Sequence, residues 1–244
     1  RIIGGTGALG KQLTERWKSG NDILIFSRNE HKQEEMKRKY PEALYRIGDV
    51  KDKESILRSM YEFKPNVIVN TAALKTVWVA QDNPYETILT NIVGHQYLID
   101  CVRECRHQIE SLMFISTDKA VRPTNIMGAT KRFSELILQA ADQCSSSTCF
   151  SMVRFGNVLD SSGSVIPLFY KLRNTGKVPI TDIRMTRFMI SLEQGVNLVW
   201  HAFENMLGGE IYVKKIPSIK VTDIAKVIAP EPKNKVIEIS PREK

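Results

Sequence analysis

A doubly wound parallel α/β sheet, with a smaller C-terminal domain interleaved against it, is the fold class this sequence predicts. Three observations predict it. Short apolar runs alternate with helix-forming stretches up to about Phe155, the rhythm of βαβ crossovers. The run Gly4-Gly-Thr-Gly7-Ala-Leu-Gly10 lies between an apolar stub, Arg1-Ile-Ile3, and the helical Lys11 to Lys18. Further on, the apolar Ser111 to Ile115 ends in Ser116-Thr-Asp-Lys119, with a helix from about Met127 and Lys131 one turn inside it. Open α/β sheets bind ligands at the C-terminal ends of their strands, so a hydroxyl, a carboxylate and an ammonium delivered there read as a catalytic edge. A plain polar loop is the bland alternative.

The elements follow in order. After the strand Arg1–Ile3, glycines at this spacing let the backbone turn tightly, approach a pyrophosphate and pack helix on strand. The helix N-terminus adds donors and partial positive charge, which makes the sheet Rossmann-type. Ile23–Phe26 is the second strand, and it ends where such a fold reads the ribose. An acidic residue there would favour NAD; Ser27, Arg28 and Lys32 suit a 2′-phosphate, which predicts NADP. A solvated face at Arg28 and Lys32 is the competing reading. Helix Glu30–Lys39 closes on Lys37, Arg38 and Lys39, cations that offset its dipole. Ala43–Ile47, Val67–Asn70, Ser111–Ile115 and Cys149–Val153 are the next strands. Lys53–Glu62, Tyr85–Arg106 and Met127–Gln143 are the helices between them, with Asp52 as the N-cap of the first.

After about Phe155 the rhythm changes. A loop from Asn157 to Gly163 leads to a helix near Val165–Asn174, strands near Val178–Thr181 and Thr186–Ile190, and a helix near Glu193–Asn205. Glu210–Val213 and Val236–Ile239 are further strands. Residues 1–156 are expected to form the cofactor domain and 157–244 a substrate cap, partly interleaved with it.

Composition excludes several classes. The chain has 244 residues, 42% apolar and 25% charged, which suits a globular fold with a full core. No apolar run approaches the roughly 20 residues a membrane-spanning helix needs, so no membrane segment is expected. A net charge of +8 permits nucleic-acid binding, but the basic residues are spread out, with no basic arm. No nucleic-acid partner is expected, and an anionic nucleotide accounts for the basic surface more economically. Cys101, Cys105, Cys144 and Cys149 make no Cys-x-x-Cys pair, so no metal site is expected. Cys101 and Cys105, one turn apart, read as a buried helix stripe, and reduced thiols in the cytoplasm are the default. The opening without Met, on a three-residue strand stub, reads as a fragment with an incomplete C-terminus, and leaves an upstream anchor or signal open.

The assembled motifs resemble the extended short-chain dehydrogenase/reductase superfamily and, within it, the UDP-N-acetylglucosamine 4,6-dehydratases of bacterial glycan biosynthesis. The resemblance rests on Gly4–Gly10, Ser27-Arg28-Asn-Glu, Gly48-Asp49-Val50, Thr71-Ala-Ala-Leu-Lys75, Asn83-Pro84, Thr90-Asn91 and Ser116-Thr-Asp-Lys-Ala120. It continues through Gly128-Ala-Thr-Lys131, Arg154-Phe-Gly-Asn-Val158, Gly163-Ser-Val165, Ile180-Thr-Asp182, Met185-Thr-Arg-Phe188, Gly209-Glu-Ile211 and Lys215-Ile-Pro-Ser218. It implies that Gly4, Gly7 and Gly10 form the cradle and that Thr6, Gly7, Ala8 and Leu9 line the pyrophosphate. Ser27, Arg28 and Lys32 would hold the adenosine phosphate, with Asp49 and Val50 beside adenine. Thr71, Lys75, Ser116 and Lys131 would line the nicotinamide half. Lys75, Thr117, Met127, Asn157, Val158 and Arg187 would face the UDP-sugar, with Glu243 a weaker candidate.

The implied reaction oxidises C4 of the hexose, removes the acidified C5 proton with loss of the C6 hydroxyl, and returns hydride to C6. It needs an acid and a base on neighbouring atoms, and Asp118 as acid with Lys119 as base fit. An ordinary Asp118–Lys119 ion pair is the alternative. Thr117 and Lys131 complete the catalytic set. The superfamily's tyrosine position is Met127, and a thioether moves no proton. Deprotonation of the C4 hydroxyl then falls to Thr117, Lys131, a water or Asp118. Asp160 stands where the family has Gly, and Ser240-Pro-Arg where it has Arg-Pro-Gly. The surroundings, especially Ile180 to Phe188 and Lys215-Ile-Pro-Ser218, resemble the branch that inverts C5, while Met127 resembles the retaining branch, and the expectation leans to inversion. A nucleotide-sugar 4-epimerase and a non-catalytic NADP-binding module are the rival readings, and a homo-oligomer is expected.

Overall fold

The computed structural model describes residues 2–105, 109–145, 147–159, 164–175, 177–229 and 233–236. Asp160, Gly163, Ser240-Pro-Arg and Glu243 lie outside them. The apolar runs of the first half become strands β1 (Ile2–Ile3), β2 (Leu24–Ser27), β3 (Leu44–Ile47), β4 (Val67–Asn70), β5 (Ser111–Thr117) and β6 (Cys149–Phe155). They pair in parallel in the order β6-β5-β4-β1-β2-β3. Between them run α1 (Ala8–Trp17), α2 (Glu30–Lys39), α3 (Lys53–Phe63), α4 (Val77–Asp82), α5 (Pro84–Ile88), α6 (Gly94–Glu104) and α7 (Ile126–Gln143). Asp52 caps α3 by accepting from the Ser55 N–H, as its position before an amphipathic run predicts.

The second half contains β7 (Asn157–Val158), α8 (Val165–Leu172), β8 (Lys177–Ile180), β9 (Thr186–Ile190), α9 (Leu192–Asn205), β10 (Ile211–Val213), β11 (Ser218–Lys220), α10 (Val221–Ile228) and β12 (Lys233–Val236). β10 pairs with β6 and makes the main sheet seven-stranded. β11, β9 and β7 form a small sheet, and β12 pairs with β8.

Alternation along the strands divides the core. Ile3, Phe26, Ile68, Leu112, Phe114, Phe150 and Met152 face α3, α6 and α7. Ile2, Ile25, Val69, Met113 and Val153 face the other side, against Leu13 of α1, Met36 of α2 and Val196, Val199 and Ala202 of α9. A helix from beyond residue 156 therefore completes the second face of the sheet. Phe169, Val178, Ile180, Met189, Ile224 and Ala225 form a separate small core.

Several expectations are corrected. The helix expected over Tyr85–Arg106 is broken into α5, a π-helical turn over Leu89–Val93, and α6. The turn centres on Asn91, whose amide bonds both backbone groups of Leu74 and the Thr130 hydroxyl, while Ser134 donates to its carbonyl. Such insertions unwind a helix locally. β5 runs two residues past Ile115 because its ladder with β6 continues through Ser116↔Arg154 and Thr117↔Phe155. β12 spans Lys233–Val236, starting before the strand expected over Val236–Ile239, whose remaining residues 237–239 lie outside the described residues. α4 was not expected: Trp78 and Val79 are exposed, so it shows little of an apolar stripe. Among the described residues no helix is long and apolar enough to cross a membrane.

Candidate active site

The glycine loop ends β1 and opens α1. Gly4 has φ +73°, and a Cβ there would come within 2.7 Å of the Ala72 nitrogen. A Cβ on Gly10 would come within 2.3 Å of the Gly5 carbonyl oxygen, so helix and strand meet only through glycine. Gly7 is the N-cap of α1 and offers no capping side chain, unlike Asn29, Asp52 and Asn125 at α2, α3 and α7. No side chain caps the first turn of α1 among the described residues, which leaves its N–H groups able to meet an external acceptor. Thr6 is buried in the loop, while Ala8 is exposed and Leu9 half-buried.

At the end of β2, Ser27 is only 7% exposed and its hydroxyl accepts from Gln33 Nε2. Arg28 is open and lies 3.5 Å from Asp49 Oδ2. Lys32 donates its backbone N–H to Asn29, and its exposed side chain meets no ion-pair partner among the described residues. Val50 is buried under α6, where a Cβ on Gly94 would collide with it. Thr71 donates to the Ile3 carbonyl, joining β4 to β1. Lys75 is exposed beyond the end of β4.

At the end of β5 the chain turns in one 3₁₀ turn over Asp118–Ala120. Thr117 Oγ1 donates to Asp118 Oδ1 at 3.0 Å. Lys119 Nζ donates to the same oxygen at 3.1 Å and to Asn157 Oδ1 at 2.8 Å. That last contact brings the small sheet to the strand end, since Asn157 and Val158 pair with Met189 and Ile190 of β9. Arg187 stands on the same strand and donates to the Thr186 carbonyl.

Behind this turn, α7 buries a polar stripe. Met127 is 3% exposed and Lys131 6%. Lys131 Nζ donates to the Ile115 carbonyl at 2.7 Å and sits 4.3 Å from the centre of the Phe114 ring. Burial pulls its pKa down to about 7, with Glu135 opposing. Glu135 has no exposed side-chain surface. It accepts from Ser116 at 2.6 Å, from Arg154 through two bonds at 2.7 and 2.6 Å, and from Arg132 at 3.1 Å. Burial raises its pKa, but Arg154, Ser116 and Arg132 outweigh that and hold it below the usual carboxylate range.

His95 of α6 packs on the same Phe114 ring at 4.2 Å. Asn70 Oδ1 accepts from the Ala72 N–H, which leaves its amide nitrogen to donate to His95 Nδ1. The imidazole proton is then on Nε2, which has no partner among the described residues. Burial, then Lys131, lowers its pKa to about 3, so the ring is neutral.

Glu135 and His95 escape motif reading, and Arg154 opens one of the quoted motifs without a role being assigned to it. The available signal is that Met127, Lys131, Glu135 and Leu138 recur on one helical stripe, which placed a second charge on a buried face.

A Rossmann-type sheet with a glycine cradle and a charged β5 end defines a nucleotide-binding α/β fold. The family model described as polysaccharide biosynthesis protein matches residues 1–241, and the chain belongs to that family. It is 45% identical over 253 residues to the UDP-N-acetylglucosamine 4,6-dehydratase (inverting) of Campylobacter jejuni subsp. jejuni serotype O:2, covering 100% of this chain and 74% of the relative. It is 38% identical to a UDP-glucose 4-epimerase of Rickettsia rickettsii, covering 93% of this chain and 69% of that one. The X-ray structure of Pen from Bacillus thuringiensis superposes with a TM-score of 0.92 at 34% identity, over 100% of this chain and 80% of that one.

Proposed function

We propose that this protein dehydrates UDP-N-acetylglucosamine across C5 and C6, with inversion at C5 and NADP as its cofactor, for surface glycan synthesis. The observation that carries this reading is the Thr117-Asp118-Lys119 turn, an acid and a base whose polar atoms lie 3.1 Å apart. The 45% identity to a named inverting dehydratase supports the substrate. The relative named as an epimerase keeps C4 epimerisation as the second reading.

A bound nicotinamide dinucleotide supplies the hydride acceptor for C4 and the donor for C6. The residues present fit one: the loop from Gly4 to Gly10 opens toward its phosphates, and Arg28 with Lys32 favours NADP. The chain's own residues move the protons. In the resting turn Asp118 and Lys119 form an ion pair. Moving one ammonium proton across that contact yields a carboxylic acid and an amine, and enclosure away from water favours this neutral form. The amine takes the C5 proton, the acid protonates the departing C6 hydroxyl, and the ion pair returns.

With Met127 unable to move a proton, Lys131 takes the C4 hydroxyl proton, a role its lowered pKa supports. C5 regains a proton as C6 is reduced, which balances the one taken at C4. The parts of 157–244 outside α9 and β10, which belong to the main sheet, serve as the sugar cap through Asn157, Val158 and Arg187. Trp78, Tyr85, Phe133 and Leu136, large side chains exposed on α4, α5 and α7, mediate self-association, which sedimentation tests.

Incubation with UDP-N-acetylglucosamine and NADP⁺ is expected to give a product lighter by one water, without net cofactor reduction. A C4 epimer of unchanged mass would establish the second reading instead. Equal dissociation constants for NADP⁺ and NAD⁺ in calorimetry would remove the NADP assignment.

A further inference from the structure

Beyond the strand ends of β2 and β3, four charged side chains from three parts of the chain alternate in sign. Arg28 Nη1 lies 3.5 Å from Asp49 Oδ2 and 4.0 Å from Glu86 Oε1. Lys51 Nζ lies 2.6 Å from that same Glu86 oxygen and 3.7 Å from Asp49 Oδ2. Thr90 Oγ1 donates to Glu86 Oε1 at 3.5 Å. Asp49 is held in place separately, its other oxygen accepting from the Lys51 N–H. Glu86 arrives from α5, far along the chain from both cations, and one of its oxygens meets them both.

The two carboxylates cancel these two cations, so within this cluster a nucleotide gains no net attraction until the pairs exchange, and Lys32 beside it is the cation without an ion-pair partner among the described residues. All four side chains are partly open to water, so the pairs can exchange. A phosphate monoester carrying nearly two negative charges is the stronger acceptor for a guanidinium. It has to displace carboxylates to gain Arg28 and Lys51, and any carboxylate left nearby repels it.

We infer that Glu86 is a specificity-determining residue: its carboxylate competes with a ribose 2′-phosphate for Arg28 and Lys51, and Lys51 is the further cation of that site. This rests on the NADP reading. Glu86 also raises the Lys51 pKa, through its direct contact first.

The test uses calorimetry on the full chain with two cofactor fragments, adenosine 2′,5′-bisphosphate and ADP. The intact protein is expected to prefer the 2′-phosphorylated probe by about tenfold or more. Glu86→Gln should tighten that probe by roughly three- to tenfold and leave ADP within about twofold, the size of one unit charge at a half-exposed site. Lys51→Met should weaken the bisphosphate by a similar factor, and the double variant should return towards the starting affinity. Raising salt should shrink these differences.

A preference in the intact protein that neither substitution alters overturns the role of Glu86 and Lys51 while the NADP reading stands. Equal tightening of both probes by Glu86→Gln overturns it too, because the effect would then not be read through the 2′-phosphate. No preference in the intact protein removes the NADP reading itself, and this inference with it.

Discussion

Glu135 and Glu86 are two glutamates at the ligand edge of one sheet, each bonded to two cations and one hydroxyl, yet their surroundings give them opposite properties. Glu135 meets Arg154, Arg132 and Ser116 through contacts of 2.6 to 3.1 Å, with no side-chain surface exposed. Glu86 meets Lys51, Arg28 and Thr90 through contacts of 2.6 to 4.0 Å, with 40% of its side chain exposed. In a buried site each charge depends on its partner, because water cannot replace it. At the open site water and ions screen the pairs and partners trade at little cost. The same composition therefore builds a rigid support behind the Asp118–Lys119 turn and an exchangeable surface where a nucleotide arrives.

The largest effect should come where the rigid end meets the chemistry. Lys119→Met is expected to lower turnover by about 10²–10⁴ while cofactor binding persists. Deuterium exchange from solvent into C5 should stop with it, and continued exchange would place the base elsewhere.

Next in size is the difference between the two glutamates. Glu135→Ala leaves Arg154 without its bidentate partner and Ser116 without its acceptor. It is expected to cost about 3–5 kcal/mol in urea unfolding. Glu86→Ala should cost less than about 1 kcal/mol in the same measurement. Equal costs would erase the contrast drawn between them.

The pH dependence probes the rigid end without breaking it. Lys131 faces Glu135 on its own helix, the Ile115 carbonyl and Phe114 ring of β5, and the neutral His95 of α6. Acting as a base, it must be unprotonated, so kcat/KM should rise with pH and level off above about 7. The stability sign is the same. The folded pKa lies below the ordinary lysine value of 10.5, so this group's contribution is fully present above about 10.5 and is lost as pH falls to about 7. A profile flat through neutrality would remove Lys131 from the proton path.

The smallest effect is expected from Met127→Leu. Apolar volume is nearly kept at a 3% exposed position, so stability should change by less than about 1.5 kcal/mol and most activity should remain. A loss as large as that of Lys119→Met would give the thioether a role that shape does not explain.

Much of the fold was legible because its signals are local. The alternation of strand and helix, the Asp52 cap and the Thr-Asp-Lys turn each depend on a few neighbouring residues. The break at Leu89–Val93 was not legible. It depends on Asn91 reaching Leu74 and Thr130, and apolar spacing carries no trace of those bonds. The Glu135 cluster was half legible. Its i+4 spacing from Lys131 puts both on one stripe, but Arg154 comes from β6 and Ser116 from β5.

By itself the sequence determined the order of the elements, the glycine cradle and which chemical groups reach the strand ends. Each follows from backbone sterics or from side-chain period, and both act over a few residues. Only the tertiary structure decided that Lys131 is buried against the Phe114 ring, that Glu135 is fully enclosed, and that Glu86 meets Arg28, 58 positions away in the chain. Those are properties of local dielectric and of which distant segments pack together, and a charge acquires them only when the sheet and its helices close around it.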